Sequence, residues 1–194
     1  MRAGILTIGN ELISGKTQDT NSSLIARELN AHGWPVTIMM SVGDDEDRIR
    51  KALDTVMGAA DAVIVTGGLG PTADDITTAA IARAFNLPLY TDEKVLAHIK
   101  SIFEKYRLKW TENNAKQALF PEGSRVIANP VGTAAGFSLE VNNKLIAVIP
   151  GVPFEVRKML PEGVVPLFKK HFPQAVQHME RRTIKLFGLS EASV

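Results

Sequence analysis

The chain contains no cysteine. That absence excludes zinc–thiolate centres, iron–sulfur clusters, thiol nucleophiles and disulfide scaffolds together. Any metal must be held by carboxylate, carbonyl, water or one of four histidines. A surplus of charge is missing as well, since 22 Lys and Arg stand against 21 Asp and Glu for a net charge of +1. Proteins that bind nucleic acid or anionic membranes usually carry a basic excess, so neither partner is expected. No run approaches the roughly 18 apolar residues of a membrane span. The apolar stretch near Met1 is about five residues long, against roughly 7–15 for the core of a secretory signal. A cytoplasmic protein is the resulting expectation. Repeats and low-complexity tracts are also lacking.

What is present is an ordinary globular composition. The 194 residues are 45% hydrophobic and 22% charged, which suits one domain, or one domain with an appendage. Three short apolar runs rich in β-branched residues, at 5–8, 36–40 and 62–66, alternate with helical patterns over 19–32 and 44–60. Strand, helix, strand, helix, strand predicts a three-layer α/β/α sandwich around a mostly parallel sheet. Helices are expected over 72–85 and 92–108, the second with an apolar stripe that reads as core. Residues 136–149 form two strand patterns joined at Asn142 and Asn143, a β-hairpin insertion, because Asn tolerates positive φ. Pro153 marks a helix start, a further helix is expected near 164–171, and 181–187 looks like a strand. His32, His98, His171 and His178 show no metal-ligand spacing, and Trp34 and Trp110 read as packing residues.

Three stretches carry chemistry. Gly9-Asn-Glu-Leu-Ile-Ser-Gly15-Lys16-Thr17 resembles a phosphate-binding P-loop, but five residues separate the glycines instead of four. The nest of backbone N–H groups that such a loop needs therefore cannot form. Either the stretch is a turn-rich connection, or Glu11 serves a ligand at the C-terminal end of a parallel strand. The second stretch runs from Thr66 through Gly67, Gly68, Leu69, Gly70, Pro71 and Thr72 to Asp74 and Asp75. Its glycines let the backbone approach an anion, and Pro71 suits the first turn of a following helix, whose N-terminus attracts phosphate. Asp74 and Asp75 then either compensate the helix dipole or hold a divalent cation between themselves and a phosphate. Third, Asn129-Pro-Val-Gly132-Thr133 and Pro150-Gly151-Val-Pro153 flank the hairpin; both are turn-like, and both can converge on the Gly67 loop. The acidic run 44–47 reads as a helix cap with an acidic first turn.

Taken together, Gly9-Asn-Glu-Leu with Asp19-Thr-Asn21, the run Thr66–Asp75, Asn129-Pro-Val-Gly-Thr-Ala and Pro150-Gly-Val-Pro153 resemble the N-terminal domain of the competence/damage-inducible protein CinA family. That domain is similar to the molybdopterin-binding domain of MogA and MoaB. The resemblance covers residues 1–170 and implies a MogA/MoaB-like sandwich, an oligomer of at least two copies, and a metal-dependent ADP-ribose pyrophosphatase. Residues 171–194 are expected to be a linking segment, since Gly188-Leu-Ser-Glu191 resembles the point where longer members enter a following domain. The molybdopterin branch typically carries Thr where Leu69 stands and Arg where Asp74 stands. A carboxylate in place of a guanidinium removes an anion partner and adds a cation ligand, which favours the pyrophosphatase. Ala135 departs from the proline that the family often has there.

The expectation is thus hydrolysis of ADP-ribose, or a related nucleotide sugar, to AMP and ribose 5-phosphate. Asp75 and Asp74 are the candidate catalytic residues, and Glu11 joins them as ligands of Mg, Mn or Co. Gly67, Gly68, Leu69, Gly70, Asn129, Gly132, Thr133 and Gly151 are the candidate substrate contacts. The alternative is a module that binds molybdopterin or a nucleotide without turning it over.

Overall fold

Every residue of β1 (Ala3–Ile8) and β3 (Ala62–Thr66) is buried, which requires cover on both faces and places both strands at the centre of a sheet. The computed structural model describes residues 1–175 together with 187 and 188. Its main sheet adds β2 (Val36–Val42), β6 (Arg125–Ile127), β7 (Gly136–Val141) and β8 (Lys144–Ile149) in the order β2-β1-β3-β8-β7-β6. The first four strands in that order run parallel, while β7 and β6 are antiparallel to their neighbours.

Alternating residues feed two separate cores. Ala3 and Ile5 with Ala62, Ile64, Ala147 and Ile149 meet α2 (Asn21–Ala31), α6 (Pro153–Met159) and α7 (Val165–His171), which bring Ile25, Leu29, Val156 and Phe168. Leu6 and Ile8 with Val63, Val65, Ile146 and Val148 meet α3 (Glu46–Ala59) and α4 (Thr77–Ala84), which bring Ile49, Leu53, Val56 and Ile81. The period of two along a strand thus builds a three-layer α/β/α sandwich from one chain. Among the described residues, no helix is long and apolar enough to cross a membrane.

Local chemistry sets the element ends. Asp45 caps α3, its side chain accepting from the Arg48 N–H at 2.9 Å. The hairpin turns through Asn142 and Asn143 with φ of 51° and 61°, as a type I′ turn requires. Its second strand, β8, lies in the main sheet beside β3. Pro153 stands at the start of α6. The Trp34 indole is fully buried and donates to the Ala175 carbonyl at 2.9 Å. The strand pattern at 181–187 and His178 lie outside the described residues, apart from Phe187.

Two expectations change. The helix predicted from residue 72 begins at Thr77, because Thr77 is drawn down onto the carbonyls of Gly67 and Gly68 through its hydroxyl (2.9 Å) and its N–H (3.2 Å). The stripe on α5 (Glu93–Lys105) is less buried than core. Ile99 is enclosed, but Ile102 and Phe103 are half-buried and Tyr106 is 63% exposed. The helix belongs to an arm between the short strands β4 (Leu89–Thr91) and β5 (Leu119–Pro121), which pair with each other outside the main sheet. There Phe103 meets Trp110 edge-on at 5.4 Å instead of facing a layer.

The cap yields the first prediction. Replacing Asp45 by Ala leaves an orphan N–H at the start of α3 and should cost about 1 kcal/mol of stability, read as a lowered denaturant midpoint with an unchanged slope in urea unfolding.

Candidate functional site

In a parallel sheet the strand order decides where a crevice opens. The chain leaves β1 toward α2 on one face and leaves β3 toward α4 on the other, so their C-terminal ends diverge and a ligand-sized gap remains. A cavity of about 690 Å³ occupies that gap.

Its floor is the Gly67–Gly70 loop. Gly67 has φ 107°, and a Cβ there would run into the carbonyl oxygen of Ile8, so only glycine fits. The Gly67 N–H is used up on the Ile149 carbonyl at 3.2 Å, and the Thr66 hydroxyl donates to the Pro150 carbonyl at 2.7 Å. The ends of β3 and β8 are thereby locked together. The N–H groups of Gly68, Leu69 and Gly70 have no hydrogen-bond partner among the described residues. Unpaired backbone donors at a cavity wall are what an anion requires.

The expected helix N-terminus is absent from this cradle. Pro71 to Ile76 form a separate turn ahead of α4, held by Asp75, whose Oδ2 accepts from the N–H (2.8 Å) and the hydroxyl (2.6 Å) of Thr72. Such side-chain bonds compete with helix formation. Asp74 and Asp75 therefore lie just before the helix and not in its first turn.

The structure brings Glu11, Asp74 and Asp75 to this cavity along with Gly67 to Gly70, Thr133 and Gly151. Asn129 and Gly132 are not on its wall. Asn129 is buried and shapes its own loop, donating to the Ala134 carbonyl at 2.9 Å and accepting from the Val131 N–H at 3.0 Å. Lys16 of the P-loop-like stretch is exposed and does not line the cavity either, and Gly15 is a surface turn with φ 72°.

Sequence reasoning missed Asp44, Asp19 and Glu155, all of which line the cavity. In the sequence the run 44–47 reads as a single cap. Asp45 does cap α3, while Asp44 turns back to Asn10 in a reciprocal pair: the Asn10 N–H donates to its Oδ2 at 2.8 Å and the Asp44 N–H donates to Asn10 Oδ1 at 3.1 Å. The position of Asp44 at the C-terminal end of β2 was the available signal. Burial pushes the Asp44 carboxyl above the ordinary range, the Asn10 N–H pulls it back, and the charges of Glu11, Asp74 and Asp75 raise it further. Asp19 accepts from the Ser22 N–H at 2.9 Å and the Ser22 hydroxyl at 2.5 Å, anchoring the start of α2. Burial also raises the Glu155 carboxyl, against the pull of the neighbouring Asn129 amide.

The cavity is therefore lined by six carboxylates and, among the described residues, by no lysine, arginine or histidine. No three of the described acidic or imidazole groups stand together closely enough to form a ready ion cage. One or two carboxylates completed by water and phosphate oxygens is the ligand set that Mg²⁺ takes beside phosphates. Glu11, Asp44, Asp74 and Asp75 are the lining carboxylates that could donate hard oxygens to such an ion.

Residues 4–170 match the family described as "Probable molybdopterin binding domain". The whole chain is 64% identical to a CinA-like protein of Syntrophus aciditrophicus, covering 46% of that protein. It is 42% identical to a CinA-like protein of Desulfosudis oleivorans, covering 100% of this chain and 47% of that one. The chain thus spans about half the length of these curated relatives. Among solved structures, the protein CinA from Thermoplasma acidophilum, described as of unknown function, is 36% identical with a TM-score of 0.76, over 87% of this chain and 96% of that one. MoaB from Pyrococcus furiosus, described as synthesizing a tungsten cofactor, is 19% identical with a TM-score of 0.56, over 90% and 96% of the two chains. That likeness is one of fold.

The crowding around Asp44 makes a pH prediction. A carboxyl whose folded value is raised favours the folded state only while protonated, so this contribution is present below the unfolded value near 3.8 and disappears as pH rises through the folded value. At pH 7, in the absence of divalent metal, Asp44 faces Glu11, Asp74 and Asp75 as a net destabiliser. Asp44→Asn should therefore raise the thermal unfolding midpoint at pH 7, and the gain should fade as pH falls below the carboxylate range. A gain that does not depend on pH would contradict the charge explanation.

Proposed function

The chain belongs to this family of molybdopterin-binding-type domains, in its CinA-like form, and from that premise we propose that it hydrolyses the pyrophosphate bond of ADP-ribose or a related nucleotide sugar with the help of a divalent cation. One observation carries the proposal. Free backbone donors that suit a phosphate lie in the same cavity as four carboxylates that repel one, and the described lining offers no basic side chain to offset them. The two halves are compatible only if a cation lies between them.

The N–H groups of Gly68, Leu69 and Gly70 hold and orient the phosphate oxygens. Asp75 and Asp44 each have one carboxylate oxygen tied to backbone, by Thr72 and Asn10 respectively, and the other oxygen free to face the cation. Such anchoring fixes the direction of a ligand before it binds, which lowers the cost of assembling the site. A bound divalent cation would supply charge neutralisation at the phosphoryl oxygens and a lower pKa for the attacking water. The water oxygen bonds to one phosphorus and the P–O bond to the bridging oxygen breaks. AMP and ribose 5-phosphate leave, and the proton of the water passes to the carboxylate facing it. Asp75 is the residue assigned as essential.

The family description favours a second reading, a domain that binds molybdopterin or a nucleotide without turnover. The two separate in one experiment. Purified protein with Mg²⁺, Mn²⁺ or Co²⁺ should convert ADP-ribose to AMP and ribose 5-phosphate, and Asp75→Asn should lower kcat/KM by about 100-fold or more. Mn²⁺ should raise the unfolding midpoint of the wild type and raise that of Asp44→Asn and Asp75→Asn less, a readout that needs no turnover. Intact ADP-ribose with all three metals, alongside tight molybdopterin binding by calorimetry, would instead establish the binding module.

A further inference from the structure

The turn that directs Asp75 is bonded mostly to itself. Thr72 is its hub: its N–H and hydroxyl donate to Asp75 Oδ2 at 2.8 Å and 2.6 Å, and its carbonyl accepts from the Asp75 N–H at 3.3 Å. The carboxyl lies over Gly70, where a Cβ would meet Oδ2. Among the described residues, a single hydrogen bond ties 70–75 to another element. Lys116 makes it, its Nζ donating to the Thr72 carbonyl at 2.8 Å.

Lys116 is half-buried on the 3₁₀ helix Glu112–Ala118, in the arm that stands outside the main sheet. A charged donor makes a stronger bond to a carbonyl than the neutral Asp75 N–H does. The next residue, Gln117, is buried, and its amide reaches the Leu69 carbonyl at a long 3.5 Å. A planar peptide joins that carbonyl to the Gly70 N–H, so a hold on one sets the direction of the other. Lys116 lines a small pocket against Gly68, Leu69, Gly70 and Asp75. Those four residues also line the large cavity, and Lys116 does not. It reaches the site through the Thr72 backbone.

We propose that Lys116 is a positioning residue of this site: by holding the Thr72 carbonyl it fixes the turn that aims Asp75 at the cation. The assignment rests on the metal-dependent reading above and extends it from the cavity to the arm. Without the ammonium the Thr72–Asp75 bonds remain, but the turn can swing as a unit and carries Asp74 with it. What is lost is the fixed distance between these carboxylates and the glycine donors, on which a cation placed between them depends.

The test is a mutant cycle read by metal binding. Mn²⁺ should raise the unfolding midpoint of the wild type in a concentration-dependent way. Lys116→Met should raise the Mn²⁺ concentration needed for a given shift about tenfold, the loss typical of an outer partner of a metal ligand. Lys116→Arg, which keeps the reach and the charged donor, should restore most of the response. In an Asp75→Asn background Lys116→Met should change the Mn²⁺ response no further, because the carboxylate it aims is gone. With ADP-ribose, Lys116→Met should lower kcat more than it raises KM, since Lys116 makes no contact in the cavity. A merely structural role would lower the metal-free midpoint and leave the Mn²⁺ dependence alone. That result, or an equal effect of Lys116→Met with and without the Asp75 carboxylate, overturns the assignment. If Mn²⁺ shifts the wild type but ADP-ribose stays intact, the hydrolase reading fails by itself and the Mn²⁺ cycle still decides the role of Lys116. A wild type that Mn²⁺ leaves unshifted removes the cation from the site, and this role of Lys116 with it.

Discussion

The approach of the Gly67 backbone to the Ile8 carbonyl is the constraint from which the rest of the site follows. A side chain at 67 would push β3 away from β1, and the positive φ that keeps it close turns the chain out of the sheet at that point. Having turned, the loop gives one donor to Ile149 and leaves the next three, on residues that line the cavity, without a partner among the described residues. Thr77 then returns to the Gly67 and Gly68 carbonyls and starts α4 there. The interval between glycine and threonine has to be filled by a turn, and Asp75 closes that turn on Thr72. A steric condition at one Cα thereby fixes the donors, the helix start and the direction of the Asp75 carboxylate.

Around this frame the charge is distributed unevenly. The chain as a whole is nearly neutral, yet the cavity lining is acidic throughout its titratable groups. Concentrating negative charge in one cleft costs stability in the free protein, and a protein tolerates the cost where binding returns it. The net charge of the sequence says nothing of this, because it averages over a surface that carries basic residues elsewhere.

Much of the architecture was legible because it rests on local rules. β3 falls where its β-branched run lies, and the Asn142–Asn143 turn and the Pro153 helix start follow from the backbone preferences of those residues. The small strands Leu89–Thr91 and Leu119–Pro121 were not legible, since three residues carry too little period to stand out. The true start of α4 was hidden for a different reason. It depends on hydrogen bonds between Thr77 and a loop ten residues earlier, while Pro71 sends a stronger local signal for the wrong place. The glycine loop and Glu11 could be placed at the site because they follow strands at the carboxyl edge of a parallel sheet. Asp44 follows one too, but a run of four acids offered a sufficient local explanation. Glu155 had no sequence signal of its own, since its burial comes from a loop more than twenty residues away.

Asp44 and Asp45 are neighbours with unrelated duties. One side chain reaches back to Asn10 and the cavity, and the other reaches forward to the first turn of a helix. Selection on the two positions is therefore separable: a single codon change at 44 alters the charge of the cavity lining and leaves the helix cap in place. A scaffold that divides its obligations between consecutive letters can exchange one chemistry for another without passing through an unfolded ancestor. The same fold in a solved protein 19% identical to this chain is the kind of history such a division permits.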